Sequence, residues 1–267
     1  MAVFERDGVT INYEVSGDGF PVLLIAPGGM FSEFDKWHAM PWNPLTELPA
    51  TYQVVAMDQR NAGGSSAPIA ADDSWATMTT DQLALMDHLG HDRFATIGMC
   101  IGGPYIAGLC DTAPQRVAAA VIFQPIGLDD NRQAFYDMFD GWRAQVAPEH
   151  PEADQATFDS FRSNLYDGEF LFNMGPEQAA TITTPTLVLM GDDLYHPEST
   201  SRERGRTHSL RIRSRPFRAR RSRSRTCEIS QRRCHQRQRQ RRMRRACGHP
   251  TRLGSHRATK RANRCQR

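Results

Sequence analysis

The charge of this chain reverses at about residue 201, and that reversal limits which residues can build a fold. Residues 1–200 contain 8 Lys and Arg against 28 Asp and Glu, whereas residues 201–267 contain 25 basic residues against 2 acidic ones. The second segment has no run of even three of Val, Ile, Leu, Met or Phe, too little apolar surface to offset chain entropy. We therefore expect one folded core over residues 1–200 and a disordered Arg-rich tail over residues 201–267.

Composition excludes several classes of protein. The first ten residues hold the charged Glu5, Arg6 and Asp7 and no apolar stretch, so we expect no secretory signal. No apolar run approaches the roughly 18–20 residues of a membrane helix. Only Cys100 and Cys110 of the six cysteines precede the tail, which is no disulfide framework and fits a reducing compartment. The tail cysteines lack paired CxxC spacing, and we expect a cytoplasmic protein without a metal or organic cofactor.

Apolar strand patterns and helical patterns alternate along the first 200 residues. This alternation predicts an α/β fold with a doubly wound, mostly parallel sheet. Residues 129–180 are polar, dotted with aromatics and helical in pattern, and they fit a lid inserted over the sheet. In such sheets ligands bind at the carboxyl ends of the strands. Strand patterns cover residues 9–15, 21–26, 52–57, 94–97, 117–123 and 184–190, and helix patterns cover residues 75–89 and 104–110.

The motif most indicative of chemistry is Gly98–Gly103, which joins a strand to a helix. It places Cys100 in the central position of a G-x-nucleophile-x-G pattern, a sharp turn that strains and exposes its central residue. The flanking glycines allow neighbouring backbone to approach closely, and the N-terminus of the following helix favours the thiolate. The alternative interpretation is a glycine-rich packing turn around an inert cysteine.

With this elbow the chain resembles the α/β-hydrolase superfamily, and three further segments of residues 8–200 support the resemblance. Pro27–Met30 lies where that family has its oxyanion loop, with Pro27 in place of the usual His. Asp58–Ser65 matches the family's D-x-R-x-x-G-x-S loop, whose role is mostly architectural. Gly191–Asp193 follows a strand where the family keeps its catalytic acid.

The resemblance implies roles for individual residues. Cys100 attacks a carbonyl, and the backbone amides of Ile101 and of Gly29 or Met30 stabilise the oxyanion. Asp193 orients the base, with Asp192 as the alternative acid. A Cys at the elbow resembles the dienelactone-hydrolase branch, in which a Cys–His–Asp triad opens a lactone.

The base is the uncertain member, because the family places its His after one more strand. Of the histidines that follow Asp193, only His196 lies on recognisable structure, and the final strand, the His loop and the closing helix are not recognisable. We predict His196 as the base; the alternative is a pocket-edge or capping His. His38, just after the oxyanion loop, is a second histidine that can face the pocket. Four histidines lie in the tail, namely His208, His235, His249 and His256.

Three interpretations of the tail remain open: a nucleic-acid arm, a neutral solubilising tail, and the true ending of the gene read out of frame. The tail holds 24 Arg but 1 Lys, although selection for positive charge alone does not exclude Lys. An Ala-rich ending read out of frame gives such a sequence, so of the three interpretations the frame error explains most of the tail's composition. The sequence thus predicts a hydrolase acting on a small-molecule ester, thioester or lactone, inactive if it lacks its base. The alternative function is non-specific nucleic-acid binding through the tail.

Overall fold

Seven strands form one sheet in residues 1–204, the part of the chain that the computed structural model describes. The strand order is β1-β2-β4-β3-β5-β6-β7, with β1 and β2 antiparallel to their neighbours and all other pairs parallel. The predicted mostly parallel sheet is therefore confirmed. The strands are β1 (Ala2–Arg6), β2 (Val9–Ser16), β3 (Phe20–Ile25), β4 (Tyr52–Met57), β5 (Phe94–Met99), β6 (Val117–Phe123) and β7 (Thr186–Leu189).

Helices fill most connections between the parallel strands. They are α1 (Pro44–Glu47), α2 (Trp75–His88), α3 (Gly102–Thr112), α4 (Arg132–Val146), α5 (Gln155–Tyr166), α6 (Pro176–Ala180) and α7 (Glu198–Arg204). Short 3-10 helices cover Gly29–Phe31, Phe34–Ala39 and Ala147–Glu149. Helix α7 continues beyond residue 200, so the expected boundary at residue 201 lies inside a helix.

The sequence analysis did not predict strand β1. This strand pairs with β2 through the two-residue turn Asp7–Gly8, whose φ angles of 51° and 80° fit the Asp-Gly preference of a tight hairpin. Most of its side chains are exposed, so it carries little of the apolar pattern that identifies a buried strand.

The central strands bury side chains on both faces, as their continuous apolar pattern predicts. In β3, Leu23 and Ile25 belong to a large core with α2, α3 and the lid, whereas Val22 and Leu24 pack on the opposite face against Phe34. The smaller core involves few residues, and Ala119 and Leu187 on β6 and β7 stay exposed. The large core therefore lies on the face that the helical lid also covers.

The predicted lid is present as α4, α5 and α6, inserted between β6 and β7. Buried aromatics hold it to the sheet domain: Trp142 Nε1 donates to the carbonyl of Asn61 at 3.3 Å, and Trp75 Nε1 donates to the carbonyl of Leu165 at 2.7 Å. These bonds join residues 81 and 90 positions apart, so the lid is a fixed part of the described fold.

The predictions about the tail fall on residues 205–267, outside the described residues. They comprise the disorder, the nucleic-acid arm and the frame error, and all three stay predictions. Within residues 1–204 no helix is both long and apolar enough to cross a membrane.

Candidate active site

Cys100 lies in the sharp turn between β5 and α3. Its φ angle of 61° is the left-handed conformation that the elbow motif predicts, and its N–H donates to the carbonyl of Phe123 at 3.0 Å. The flanking glycines are required by packing: a methyl group on Gly98 would lie 2.9 Å from Ile106 and 3.1 Å from the α-carbon of Gly102. The sequence therefore folds here as an elbow that presents a partly exposed thiol.

The loop after β7 brings a histidine and a carboxylate together. His196 Nδ1 lies 2.8 Å and 2.9 Å from the two carboxylate oxygens of Asp193. The backbone N–H groups of Tyr195 and His196 donate to Asp193 Oδ1 at 2.9 Å and 3.1 Å. One carboxylate thus closes the turn and orients the imidazole, which directs Nε2 away from Asp193.

The structure places His196 next to Cys100, so that each changes the proton affinity of the other. Burial raises the pKa of the Cys100 thiol, but the hydrogen bonding and charge of His196, with the N–H groups of Gly28 and Ile101, give a net lowering. Burial lowers the pKa of His196, yet Cys100 and then Asp193 raise it to about 9. Both shifts favour a thiolate paired with an imidazolium over a thiol beside a neutral imidazole.

The carboxylate completes this charge pattern. Burial raises the pKa of Asp193, but His196 and the N–H groups of its own turn lower it below the usual value. His196 Nε2 is buried, and within residues 1–204 it has no partner with full hydrogen-bond geometry. Its interaction with Cys100 is therefore a hydrogen bond of looser geometry, supported by the charges of the two groups.

The amides directed at the sulfur are one that was predicted for an oxyanion and one that was not. Ile101, at the start of α3, donates its N–H towards Cys100, and so does Gly28, which the sequence analysis did not select. Gly29 and Met30 are buried in the adjoining 3-10 turn, whose first amides have no partner within the turn. Gly28 has a φ angle of 123°, a conformation that favours glycine. The pair of glycines at positions 28 and 29 is therefore the sequence feature that could have indicated this amide.

Two residues considered from the sequence are not brought to the thiol. His38 has a side chain that is 58% exposed, and its Nδ1 lies 3.0 Å from Asn43 Nδ2. The hypothesis that His38 faces the pocket is therefore wrong, because the 3-10 helix after the oxyanion loop turns it to the surface. Asp192 is exposed, and of the two neighbouring carboxylates in the described part of the chain only that of Asp193 bonds to His196.

The Asp58–Ser65 loop has the architectural role expected of it. Asp58 is 3% exposed, and its carboxylate accepts from Asn12 Nδ2 at 2.7 Å and from the N–H groups of Phe34 and Gly64 at 2.8 Å each. Ser65 Oγ donates to the carbonyl of Asp58 at 2.9 Å. This network joins β2, β4 and the segment that follows the oxyanion loop.

Two further residues hold the loop of His196 in place, a role that was not predicted for either of them. Asn131 is 4% exposed, and its Nδ2 donates to the carbonyl of Leu194 at 2.7 Å and to that of Gly127 at 3.0 Å. A methyl group on Gly191 would lie 2.4 Å from the β-carbon of His196. The first contact joins residues 63 positions apart, and nothing local in the sequence announces it.

No group of three or more His, Cys, Asp or Glu side chains in residues 1–204 is arranged to hold a metal ion. The groups that the structure brings together at Cys100 are a thiol, an imidazole, a carboxylate and several amides. Such a set can form and hydrolyse an acyl intermediate.

Known proteins share parts of this sequence. A soluble epoxide hydrolase of Corynebacterium sp. (strain C12) is 32% identical over 36% of this chain and 32% of its own length. A fluoroacetate dehalogenase of Burkholderia sp. is 39% identical over 36% of this chain and 31% of its own. The chain thus spans about a third of the length of these curated relatives.

Solved structures and the family profile extend the likeness over most of the chain. A crystal structure of a hydrolase from Pseudomonas aeruginosa PA01 aligns with a TM-score of 0.60 at 20% identity, over 79% of this chain and 88% of that one. At that identity the likeness shows the fold. The sequence profile of the alpha/beta hydrolase fold matches residues 21–225, more than half of the chain, and the chain therefore belongs to the alpha/beta hydrolase fold family.

Proposed function

We propose that this chain hydrolyses small acyl compounds (esters, thioesters or lactones) with Cys100 as the nucleophile. The observation that carries the proposal is the charge pairing of Cys100 with His196 and of His196 with Asp193. A thiol is a poor nucleophile until it loses its proton, and an adjacent imidazole held by a carboxylate is a recurrent way to remove it. The sequence left the base open; the short distances from His196 to Asp193 support His196.

In the acylation step, the Cys100 sulfur forms a bond to the carbonyl carbon and the carbonyl electrons move onto oxygen. The amides of Ile101 and of the Gly28–Met30 loop stabilise that oxyanion. The intermediate then collapses, the bond to the leaving group breaks, and His196 Nε2 gives its proton to the departing atom. The products of this step are an acyl thioester on Cys100, a protonated leaving group and a neutral His196.

In the deacylation step, water supplies the second nucleophile. His196 Nε2 takes a proton from water as its oxygen attacks the thioester carbonyl, and the same amides hold the second oxyanion. Collapse expels the Cys100 thiolate and releases a carboxylic acid, which returns the thiolate and the imidazolium to their starting state. Asp193 keeps Nδ1 protonated and stabilises the imidazolium in both steps.

The nucleophile narrows the kind of bond that this chain can cleave. The relatives are named for an epoxide, for fluoroacetate and, in the case of a putative carbamate hydrolase of Klebsiella pneumoniae that is 35% identical over 39% of this chain, for a carbamate. Attack of a thiolate on an alkyl carbon would leave a thioether, which water does not hydrolyse, so the enzyme would stop after one event. Attack on an acyl carbon leaves a thioester, which water does hydrolyse.

The leaving group narrows the substrate further. A thiolate of lowered pKa leaves a tetrahedral intermediate more readily than an alkoxide does. An alkyl ester therefore returns to reactants unless His196 protonates the departing oxygen, whereas a thioester or the ester of an enol or phenol releases a group of similar stability. We expect thioesters and enol or aryl esters and lactones to react faster than simple alkyl esters.

The first test incubates the full chain with an S-ethyl thioester and an aryl ester of the same acid. Product release and the mass of the Cys100 peptide are followed together, in the wild type and in Cys100→Ala. We expect a transient acyl mass on Cys100 with turnover, and a loss of turnover of several orders of magnitude in Cys100→Ala. Acylation that is never released would support Cys100 but contradict His196 as the base. A folded protein that is not acylated would overturn the proposal.

A further inference from the structure

A buried hydroxyl lies beneath the lid without an assigned role. Tyr166, the last residue of α5, is 0% exposed, and its Oη has no hydrogen-bond partner among residues 1–204. Buried polar groups nearly always have a partner, because leaving one unsatisfied lowers the stability of the fold. An unsatisfied hydroxyl close to the reactive groups is therefore a candidate for a group that meets its partner when substrate binds.

Aromatic packing fixes the ring of Tyr166. Its centroid lies 5.5 Å from that of Phe135 in a stacked arrangement, 5.4 Å from Phe172 and 6.0 Å from Trp75, both edge-on. Rings held on several sides cannot swing the hydroxyl out to solvent. The backbone carbonyl of Tyr166 also accepts from the Arg132 guanidinium, which holds the end of α5 in place.

Helix α4 of the lid contacts both the ring of Tyr166 and the two loops beside Cys100 and His196. Phe135 and Met138 are three residues apart on α4 and therefore share one face. Met138 covers the oxyanion loop, since a methyl group on Gly29 would lie 2.4 Å from its sulfur, and Phe135 contacts the ring of Tyr195 at 5.6 Å, beside His196. Tyr166 thus packs against the helix that covers both the oxyanion loop (residues 27–30) and the loop of the proposed base (residues 191–196, the base loop).

Charge in the site keeps this hydroxyl protonated. Burial raises the pKa of Tyr166 well above its usual value, and Tyr105 and the Cys100 thiolate add to that shift. The group is therefore a neutral hydrogen-bond donor throughout the range in which Cys100 is a thiolate. A carboxylate bound there would be buried near a like charge without a cation at the hydroxyl, which is unfavourable.

We propose that the Tyr166 hydroxyl binds substrate by donating a hydrogen bond to it. The acceptor is a neutral oxygen of the acyl group, such as that of a ketone, several bonds from the scissile carbonyl. The apolar remainder of the acyl group packs among Trp75, Phe135 and Phe172. This inference rests on the proposed function, because it assumes that the acyl group lies on the lid side of Cys100. A site with a donor that must be satisfied discriminates strongly against analogues that lack the acceptor.

The test separates binding from turnover by using the full chain with Cys100→Ala. Dissociation constants are measured by calorimetry for the S-ethyl thioester of 6-phenylhexanoic acid and for its analogues with a ketone at carbon 3, 4, 5 or 6. We expect at least one ketone to bind about tenfold or more tightly than the parent, and the preference to fall to about one when Tyr166→Phe is added. Equal binding of all five probes would overturn the inference, and so would a preference that survives Tyr166→Phe.

A matched control and a stability measurement complete the test. Tyr136→Phe removes another lid hydroxyl, one already bonded to Asp167, and should leave the ketone preference unchanged. Because the Tyr166 hydroxyl has no partner among the described residues, Tyr166→Phe should raise Tm by about 2–4 °C, and a lower Tm would contradict the inference. If the wild type fails to hydrolyse thioesters but Tyr166→Phe still removes the preference, the proposed function fails and the binding role stands.

Discussion

Cys100 and His196, the proposed nucleophile and base, are held in place by different means. Cys100 follows the central strand β5, and its backbone bonds to Phe123 and Ile126 from the next strand and loop. His196 lies in a loop closed by Asp193 only three residues earlier, after the short strand β7. The elbow is therefore determined by the sheet, whereas the base is determined by one turn and a few contacts around it.

This difference predicts that substitutions near Cys100 and substitutions in the base loop will have different effects. Changes near Cys100 disturb packing in the core, so they alter stability and activity together. Changes in the base loop should alter the pairing of Cys100 with His196 while the sheet stays intact. The site can thus lose its base without losing its fold, which makes the base loop the more informative place for substitutions.

Among the substitutions that test this comparison, His196→Gln is expected to have the largest effect on kcat. Removal of the imidazole leaves burial as the main influence on the thiol, so the pKa of Cys100 should rise, and kcat should fall by about 10²–10⁴-fold. In the wild type the thiolate is lost as pH falls through its lowered pKa, and the imidazolium is lost as pH rises through about 9. The pH profile for an alkyl ester, whose departing oxygen needs the proton of His196, should therefore decline near pH 9 in the wild type.

The measurement that isolates the pairing is the alkylation rate of Cys100 by iodoacetamide, followed as the mass of its peptide across pH. The alkylation profile should move to higher pH in His196→Gln. The surface variant His38→Gln is a matched control, since His38 is exposed and bonded to Asn43. An unchanged profile in His196→Gln, or a shift of equal size in His38→Gln, would contradict the pairing.

The same contrast explains what could be predicted from the sequence. The elbow is encoded in six consecutive residues, and the strands around it carry apolar runs, so Gly98–Gly103 and the parallel sheet were predictable. Asp193 and His196 were named from spacing and resemblance, but their bond could not be derived, because it depends on how a turn closes. The contact of Asn131 with Leu194 could not be predicted, since nothing in the sequence pairs residues so far apart. Strand β1 was missed because its exposed residues lack a buried pattern.

A smaller effect is expected from Gly191→Ala, which displaces the base loop without replacing a reacting group. The added methyl would lie 2.4 Å from the β-carbon and 2.6 Å from the carbonyl oxygen of His196, so the loop must move. A displacement of about 1 Å at a catalytic group costs roughly 10²-fold in rate. We expect kcat for thioester hydrolysis to fall by about that factor.

Gly141→Ala is the control for this prediction. Gly141 lies in helix α4 and has no atom within 4 Å of the position that a methyl would take. It should keep full activity and gain up to about 1 kcal/mol of stability, because alanine favours a helix. Equal rates for Gly191→Ala and the wild type would show that the base loop does not need its observed position.

The smallest effect is expected from Asn131→Ala, which removes the long-range support of the base loop. The carbonyls of Leu194 and Gly127 lose their donor, and a loosened loop should lower kcat about tenfold with little change in KM. Asn131→Asp sharpens the test, because it keeps an acceptor for the N–H of Asp129 but cannot donate to Leu194. Both variants should lose activity to a similar extent.

The control for Asn131 is another lid asparagine with the same kind of bonds elsewhere. Asn164 Nδ2 donates to the carbonyls of Ala71 and Asp73 at 2.9 Å and 3.1 Å, on the side of the lid that bonds to the loop before α2. Asn164→Ala should therefore lower stability without changing the pH profile or kcat. If Asn131→Ala and Asn164→Ala behave alike, Asn131 acts only on stability; if Asn131→Ala alone lowers kcat, the base depends on a contact from the lid, and the local turn of Asp193 is not sufficient to hold it.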